Sequence, residues 1–436
     1  MTSLWQETAL PSFPALDRDL TVDVLIIGGG MTGLLCAHTL VKSGANCALI
    51  EADRICQGVS GHTTAKITAQ HGFCYHELLQ TFGEEKAKLY LQANEGAVAR
   101  WKDLCGEFPC DFEETDNYVY TLTDPDLAQT EAEALNKLGY SCEVTLPPLP
   151  LAIKGAVKFA HQGQFHPLKF VAQLARDLPI YEHTPALAYD GEQIVVPGHK
   201  IRAKKIIVAT HFPIFNKQGL YFLKLYQHRS YVLALEGAKG PEGMYVDESG
   251  QGLSFRNYGD LLLLGGGSHR TGKRGGGWSE LEAFAKKHYP NARVKYRWAT
   301  QDCMSLDGVP YIGQYAPSTP NLFVATGFNK WGMTSSLVAA MVLGELVQDH
   351  RHPWAEVFDP GRSLLHPQLA VNAAESLWNL LTPTVPRCPH LGCALKWNRR
   401  EHSWDCPCHG SRFGSDGTLL EGPATGDLKS LKGKRK

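Results

Sequence analysis

The apolar positions near the N-terminus alternate between strand-like and helix-like patterns. Residues Val22–Ile27 form a short, β-branched run, which is typical of a parallel strand buried on both faces. Three glycines follow, and the run Leu34–Val41 then has helical character until Gly44. A second apolar run, Cys47–Ile50, leads to Glu51. The pattern predicts one complete strand–helix–strand unit.

The rest of the chain changes its pattern several times. Residues 77–140 are helical in composition around a strand-like Tyr118–Thr121, and residues 221–300 are rich in strand patterns. Apolar runs at 206–210 and 322–326 predict two more buried parallel strands, and the second of these enters a helix at 334–347. An amphipathic linker helix is expected at 363–381.

Composition and charge narrow the class of protein. A chain of 436 residues, 43% of them apolar, exceeds one ordinary core and predicts two or three domains. The formal net charge of −1 gives no global basic field, so we expect no nucleic-acid partner. No signal peptide and no transmembrane segment can be recognised, which predicts a soluble, cytoplasmic protein.

A glycine fingerprint connects the first predicted strand and helix. Gly28-x-Gly30-x-x-Gly33 follows the strand directly, and the acidic Glu51 ends the next strand about 20 residues later. Such glycines permit a tight turn, let the backbone approach a pyrophosphate, and let the helix pack closely on the sheet. The combination predicts a bound dinucleotide, with Glu51 accepting hydrogen bonds from the ribose hydroxyls.

Cysteine and histidine are concentrated near the C-terminus, in Cys388-Pro-His390-Leu-Gly-Cys393 and Cys406-Pro-Cys408-His409-Gly-Ser411. Spacings of Cys-x-His and Cys-x-x-His match the ligand set of a Rieske [2Fe–2S] centre, in which two imidazoles bind one iron. A structural zinc site is the alternative, but zinc motifs usually space their first pair more widely. The pattern favours an iron–sulfur centre with the ligands Cys388, His390, Cys406 and His409.

Five segments resemble the D-amino-acid-oxidase-like flavoprotein superfamily, in its glycine/sarcosine-oxidase-like branch, over roughly residues 20–350. They are the fingerprint, Gly58–Lys66, Ile206–Thr210, Asp307–Gly313 and Ala325–Thr334. The resemblance implies an α/β fold, with a Rossmann-like FAD-binding domain and an interleaved α+β substrate domain. It implies that FAD is held by Gly28, Gly30, Thr32, Gly33, Glu51, Ala52, His62, Thr63, Thr64, Lys66, Ala209, Thr210, Asp307, Gly308, Gly327, Phe328, Asn329, Lys330, Trp331, Gly332, Met333 and Thr334.

The same resemblance assigns parts of the site to the flavin ring. The segment around His62 is expected near the isoalloxazine, through a polar contact or, as the alternative, through covalent attachment. The loop before Thr334 presents N–H groups to the flavin N1/O2 edge, where a helix N-terminus favours negative charge. Relatives that oxidise amino acids often have a basic residue near this loop, but Thr334 occupies that position here. The candidates for catalysis are therefore His62, Arg256, His269 and Lys330, and no acid or base is assigned among them.

The C-terminal boxes closely resemble the Rieske family over about 387–427. The resemblance implies a disulfide between Cys393 and Cys408, a pair that ring-hydroxylating Rieske oxygenases lack, and a hydroxyl at Ser411 that bonds to a bridging sulfide. Phe413 stands where the family usually has a tyrosine. Few residues precede the first box, so we expect a small, truncated all-β domain that leans on the flavin domain or on a partner.

The predicted organisation follows from these segments: an arm at 1–20, an FAD-dependent oxidoreductase domain at 21–360, a linker helix at 361–386, a Rieske domain at 387–427 and a basic tail at 428–436. The substrate subdomain is expected at roughly 85–155 and 212–300. The sequence predicts that FAD oxidises a small substrate, an amine or amino acid, and that the [2Fe–2S] cluster passes electrons to an unidentified acceptor. Two alternatives stay open: a reductase that takes electrons from a redox partner, and a non-catalytic electron-transfer or redox-sensing module.

Overall fold

The computed structural model describes residues 2–215, 218–250, 252–384 and 386–429. The helices are α1 (Met31–Lys42), α2 (Tyr75–Glu107), α3 (Pro125–Lys137), α4 (Pro167–Leu174), α5 (Tyr221–Lys224), α6 (Gly277–His288), α7 (Gly332–Leu346), α8 (Ala355–Phe358) and α9 (Pro367–Leu381). The strands are β1 (Leu20–Ile27), β2 (Cys47–Ile50), β3 (Lys66–Ile67), β4 (Glu113–Thr121), β5 (Glu143–Thr145), β6 (Gly155–Gln164), β7 (Ile180–Tyr181), β8 (Ala188–Tyr189), β9 (Gln193–Val196), β10 (His199–Val208), β11 (Tyr226–Glu236), β12 (Met244–Asp247), β13 (Ser254–Tyr258), β14 (Leu261–Arg270), β15 (Arg293–Met304), β16 (Tyr311–Gln314), β17 (Leu322–Thr326), β18 (Lys396–Asn398), β19 (Ser403–Asp405), β20 (Arg412–Gly414) and β21 (Leu419–Glu421).

The first sheet carries the nucleotide-binding topology. Its strands follow the order β16-β17-β10-β1-β2-β7, with parallel pairing from β17 to β7 and with β9 and β8 added on β10. The interior of β1 is buried, as its β-branched sequence predicts, because helices cover parallel sheets on both faces. Helices α1 and α7 pack together, and Thr32 Oγ1 lies 2.8 Å from Ser336 Oγ between them.

The second sheet, which we call the roof sheet, is mixed and follows the order β15-β11-β14-β13-β12-β4-β6-β3, with β5 on β6. Only the β12–β4 pair among these strands is parallel. Its strands come from residues 66–67, 113–164 and 226–304, so the sheet overlaps the two segments expected for the substrate subdomain and extends beyond each. The interleaved α+β domain thus roofs the nucleotide-binding sheet.

The N-terminal arm and the C-terminal end both pack against these sheets. Trp5 of the arm is fully buried, and its Nε1 donates to Thr63 O at 2.7 Å. The linker helix α9 leads to four short antiparallel strands, β18 to β21. We call residues 386–429 the cluster lobe. Leu428, the first residue of the basic tail predicted at 428–436, is buried in it, and that tail from 430 onward lies outside the described residues. None of the helices within the described ranges is long and apolar enough to cross a membrane.

Candidate functional site

The glycine fingerprint lies where β1 meets α1, and its sterics demand glycine. A Cβ on Gly33 would lie 1.9 Å from Gly28 O, and a Cβ on Gly28 would lie 2.6 Å from Ala209 O. Gly28 also has a φ of 111°, which other residues rarely adopt. The two glycines therefore bring α1 and the end of β10 closer than any side chain would allow.

Gly30 and Glu51 form the open side of this turn. Among the described residues, a Cβ on Gly30 would meet Ser60 Oγ alone within 4 Å, in a tight contact of 3.3 Å, so glycine leaves the backbone uncovered at the N-terminus of α1. Glu51 accepts hydrogen bonds from Gly29 N at 2.6 Å and Asp53 N at 3.0 Å, and burial raises the pKa of its carboxyl. An open backbone cradle beside a helix N-terminus suits a pyrophosphate. Ala52 next to Glu51 is exposed.

The segment from His62 to Lys66 turns its backbone away from this cradle. The carbonyl of His62 accepts from Trp298 Nε1 at 2.8 Å, and the carbonyls of Thr64 and Ala65 accept from the buried Arg256 guanidinium at 2.6 and 2.8 Å. Lys66 keeps partial solvent accessibility, yet burial lowers its pKa to about 7. A side chain that water reaches but that is strongly desolvated fits the edge of an enclosed ligand site. Thr63 and Thr64 are half-buried in the same segment.

The loop between β17 and α7 is held in an unusual conformation. Gly327, Asn329 and Lys330 have φ values of 73°, 49° and 75°. The Asn329 side chain fixes the loop, because it donates to Gly327 O at 2.7 Å and Gly308 O at 3.0 Å and accepts from Ser305 N at 2.8 Å. The first N–H groups of α7 have no partner within the helix, so this end suits an electronegative ring edge.

The remaining predicted contacts lie partly in this loop and partly outside it. Phe328, Trp331 and Gly332 are half-buried, and Trp331 stacks on His71 with ring centroids 5.0 Å apart. Two others hold the loop itself, because Met333 O accepts from Trp101 Nε1 and Thr334 Oγ1 lies 2.9 Å from His71 Nε2. Outside the loop, Asp307 binds Arg362 at 2.6 Å and Thr210 Oγ1 donates to Phe212 O. His71 was not among the residues predicted to lie at the flavin.

The four candidates for catalysis are placed differently. Arg256 ties the His62 segment to the roof sheet, as described above. His269 uses both ring nitrogens, on Tyr231 Oη at 3.0 Å and Arg270 O at 2.9 Å, on the side of the roof sheet that faces the cluster lobe. His62 bonds Gly58 O through Nδ1 at 2.9 Å. Lys330 is half-buried and donates to Gly250 O and Ser268 Oγ under the roof.

The two Cys/His boxes form a matched pair of loops. Gly392 N donates to Cys388 O and Gly410 N to Cys406 O, each at 2.9 Å. Both glycines have positive φ, 80° and 85°, which allows each loop to close tightly. The paired loops bring the His390 and His409 rings to within 5.0 Å between centroids. Cys388, Cys406 and His409 are buried in these loops and His390 is half-buried. The ligand set itself stays a prediction.

The donor atoms fit an iron–sulfur cluster. His409 Nε2 lies 3.0 Å from Phe222 O, and among the described residues nothing bonds its buried Nδ1, which is left for a metal. The Sγ atoms of Cys393, Cys406 and Cys408 lie within 4.8 Å of one another, a tighter group than the predicted ligands. Cys393 and Cys408 are separate thiols in the structure, and their disulfide stays a prediction. Ser411 Oγ accepts from Ala424 N at 3.0 Å, and Phe413 is fully buried.

The cluster lobe docks on the flavin domain through charged and backbone contacts. Arg229 on β11 is 5% exposed and binds Glu401 at 3.0 Å and Glu421 at 2.9 Å. Arg412 of the lobe joins the same network through Glu401 at 2.8 Å. Phe212, just after β10, lies about equally far from both cluster histidines, with ring centroids 6.0 Å from His390 and 6.1 Å from His409. No local sequence signal marks Arg229 or Phe212.

Comparisons with known proteins agree with this geometry. A family model described as FAD dependent oxidoreductase (DAO) matches residues 23–346, and one described as Rieske [2Fe-2S] domain matches residues 379–432. A Bacillus subtilis protein named putative Rieske 2Fe-2S iron-sulfur protein YhfW is 37% identical over 97% of this chain and 96% of its own. Gamma-glutamylputrescine oxidoreductase of Escherichia coli is 23% identical over 81% of this chain and 89% of its own.

Solved structures show the same fold. Glycine oxidase from Geobacillus kaustophilus has a TM-score of 0.67 at 20% identity and covers 79% of this chain and 100% of its own. L-proline dehydrogenase from P.horikoshii has a TM-score of 0.66 at 17% identity, over 78% of this chain and 97% of its own. The predicted fold class and the predicted cofactors, FAD and a [2Fe–2S] cluster, are confirmed. The chain belongs to the FAD dependent oxidoreductase family and carries a Rieske [2Fe–2S] domain at its C-terminal end.

Proposed function

We propose that this oxidoreductase oxidises a small amine or amino acid at a C–N bond and passes the electrons through the Rieske cluster to a separate acceptor. When bound, FAD supplies two-electron chemistry at the substrate and the cluster supplies one-electron transfer. The acceptor would be a protein or a quinone-like molecule.

One observation carries this proposal: three consecutive residues of β15 connect the two sites. Gln301 Nε2 donates to Gly410 O at 2.9 Å, next to the predicted ligand His409. Two residues later, Cys303 O accepts from Asn329 N at 3.0 Å, in the loop expected at the flavin edge. A cluster docked on the strand that supports the flavin loop is well placed to exchange electrons with the flavin.

The proposed cofactor contacts follow from the geometry. Gly28, Gly30 and Gly33 would receive the pyrophosphate, and Glu51 the ribose. The half-buried side chains of the segment 62–66 and of the loop between β17 and α7 would surround the ring: Thr63, Thr64, Lys66, Phe328, Lys330 and Trp331. Cys388 and Cys406 would hold one iron and His390 and His409 the other. The chain's own part is to shield these groups from water and to hold them at a fixed separation.

The test is anaerobic bleaching of the flavin in the purified holoprotein. The panel contains the amines named by relatives (glycine, L-proline and γ-glutamylputrescine), with hydroxy acids as controls. We expect an amine to bleach the flavin and a Rieske EPR signal to appear in the same sample. Bleaching by hydroxy acids alone would overturn the proposed substrate class. A cluster that stays oxidised while the flavin is bleached would overturn the electron route, and a flavin reduced only through the cluster would support the reverse direction.

A further inference from the structure

A continuous chain of hydrogen bonds lies under the roof sheet beside the flavin loop. Lys330 Nζ donates to Ser268 Oγ at 3.1 Å, the two serine hydroxyls are 3.1 Å apart, and Ser230 Oγ donates to Asp302 Oδ2 at 3.0 Å. The members come from four separate segments: the loop before α7, and the strands β14, β11 and β15. We call them the serine relay, and its members are Lys330, Ser268, Ser230 and Asp302.

The donors and acceptors that these side chains offer fix the direction of each hydrogen bond in the relay. An ionised carboxylate only accepts, so the single hydroxyl proton of Ser230 points at Asp302. The bond between the serines must then be donated by Ser268, and Ser268 must in turn accept from the Lys330 ammonium. All three bonds therefore run head to tail from the loop at the flavin edge to the carboxylate on β15.

The relay keeps some solvent accessibility and is not sealed in the packed core. All four side chains are half-buried, although they lie between the roof sheet and the flavin loop. Burial lowers the pKa of Lys330 and raises the pKa of Asp302, so the two end groups are driven towards exchanging a proton. The other titratable or charged groups that face these ends are His211, His228, Arg229 and Asp247.

We propose that the serine relay removes the ammonium proton of an amine substrate so that hydride can leave its carbon. This rests on the proposed function. An amine that binds as an ammonium ion has its nitrogen lone pair tied up in an N–H bond and cannot form a C=N bond. Loss of that proton frees the lone pair, and loss of hydride from the neighbouring carbon then gives an iminium ion. The balance is one ammonium ion giving one iminium ion, one proton and one hydride, with the C–N single bond converted to C=N.

Every proton that moves in this step is accounted for by the members of the relay. Lys330 passes one proton to Ser268, each serine passes its own proton onward, and Asp302 changes from carboxylate to acid. Lys330 then takes the substrate proton and ends with the charge with which it began. When bound, FAD would be the oxidant in this balance, taking the hydride with its two electrons, and the cluster would supply the one-electron route to the acceptor.

The experiment measures anaerobic flavin reduction in stopped flow with the full holoprotein, using the amine of the panel that bleaches wild type fastest. The test variant is Ser230→Ala, which interrupts the relay. Ser230→Thr keeps a hydroxyl and tests rescue. Ser254→Ala is the matched control, because Ser254 also lies on the roof sheet but outside the relay.

We expect S230A to slow flavin reduction about a hundredfold at pH 7, the lower range for loss of general acid–base help. Raising the pH from 7 to 10 increases the free-amine fraction roughly 700-fold for an alkylamine of pKa about 10.4, so the defect should shrink to within a few fold. S230T should recover most of the rate at pH 7, and S254A should match wild type. A purely structural defect would not be repaired by pH.

Other results of this experiment would overturn either the relay or the proposed function. An S230A profile that overlays wild type, or that is slower by one constant factor at both pH values, would overturn the relay while the proposed function stands. If no amine bleaches wild type, the proposed function fails and the relay fails with it. A readout independent of turnover is the infrared carboxylic-acid band of Asp302, identified by its loss in Asp302→Asn. Its midpoint should move to higher pH in S230A, because the carboxylate loses a donor, and an unchanged midpoint would count against the relay.

Discussion

Arg229 should control whether the cluster lobe stays docked on the flavin domain. Its guanidinium is 5% exposed and binds two lobe carboxylates, of which Glu401 is 7% exposed. Arg229→Met keeps the length of the stem but leaves Glu401 and Glu421 facing Arg412 alone. Removing one partner of a buried ion pair costs about 3 to 5 kcal/mol. We therefore expect R229M to favour an undocked lobe, with both cofactors still bound.

The pKa of Glu401 gives a second measure of the free energy with which the arginines hold this carboxylate. Burial alone raises this pKa, but the charges and hydrogen bonds of Arg229, with help from Arg412, outweigh it and hold the pKa at about 2, against an ordinary value of 4.5. A lowering of this size corresponds to about 3 kcal/mol, shared between the two arginines. At 1.36 kcal/mol per tenfold, the lower end of the cost of about 3 to 5 kcal/mol for breaking the buried pair changes the docked-to-undocked ratio more than a hundredfold, and the share that Arg412 keeps favours this lower end.

The assay photoreduces the flavin anaerobically and follows reduction of the cluster by EPR, so no substrate is needed. R229M should reduce its cluster much more slowly than wild type, and proteases should cut more readily between α9 and the first box. Arg297→Met is the matched control, because Arg297 forms a half-exposed pair with Glu282 at 3.6 Å, worth about 0 to 1 kcal/mol. Wild-type rates and wild-type protease resistance in R229M would refute the argument.

Four further changes have defined outcomes. Gly33→Ala should abolish FAD binding, because its Cβ would lie 1.9 Å from Gly28 O; the flavin absorbance per protein checks this, and full occupancy would contradict it. Ser411→Ala should lower the cluster potential by about 40 mV, since one hydrogen bond is worth about 1 kcal/mol; a redox titration without a shift would contradict it. Trp101→Ala should destabilise the protein by about 3 to 5 kcal/mol in denaturant unfolding, because the side chain is fully buried, and a loss under 1 kcal/mol would count against this. Docking of the lobe should be unaffected above pH 4.5 and should weaken as the pH falls towards 2, because the folded pKa of Glu401 lies below its ordinary value; pepsin cleavage of the linker between about pH 2 and 4.5 reports this, and cleavage no faster at the acid end relative to an unfolded control substrate would contradict it.

Local chemistry explains which parts of the molecule could be predicted from the sequence. The fingerprint positions require glycine because neighbouring backbone segments leave no room for a Cβ. Strand β1 carries the apolar run that is required of a strand covered on both faces. The two boxes close loops of six residues through their own glycines, so their spacing alone indicates the site. In each case the cause lies within a few residues of the motif.

The docking of the lobe and the relay could not be predicted in this way. Arg229 and Glu401 are 172 residues apart, and neither belongs to a motif. The serine relay draws on four segments, and an isolated serine on a strand carries no signal of its partner. Trp5 was expected in an irregular arm, yet it is fully buried because its ring finds partners far along the chain in His166 and Tyr258. These features depend on tertiary packing, which a single sequence does not encode locally.

The two faces of β11 explain how a shortened Rieske domain suits this enzyme. Successive residues of a strand point to opposite faces. Ser230 belongs to the relay under the roof, whereas Arg229 and Tyr231 bind Glu401 of the lobe above it. The neighbouring strand β15 alternates in the same way, with Asp302 below and Gln301 bound to Gly410 above. The roof sheet therefore serves as the base that the lobe lacks, so that the thickness of one sheet separates the proposed substrate chemistry from the cluster.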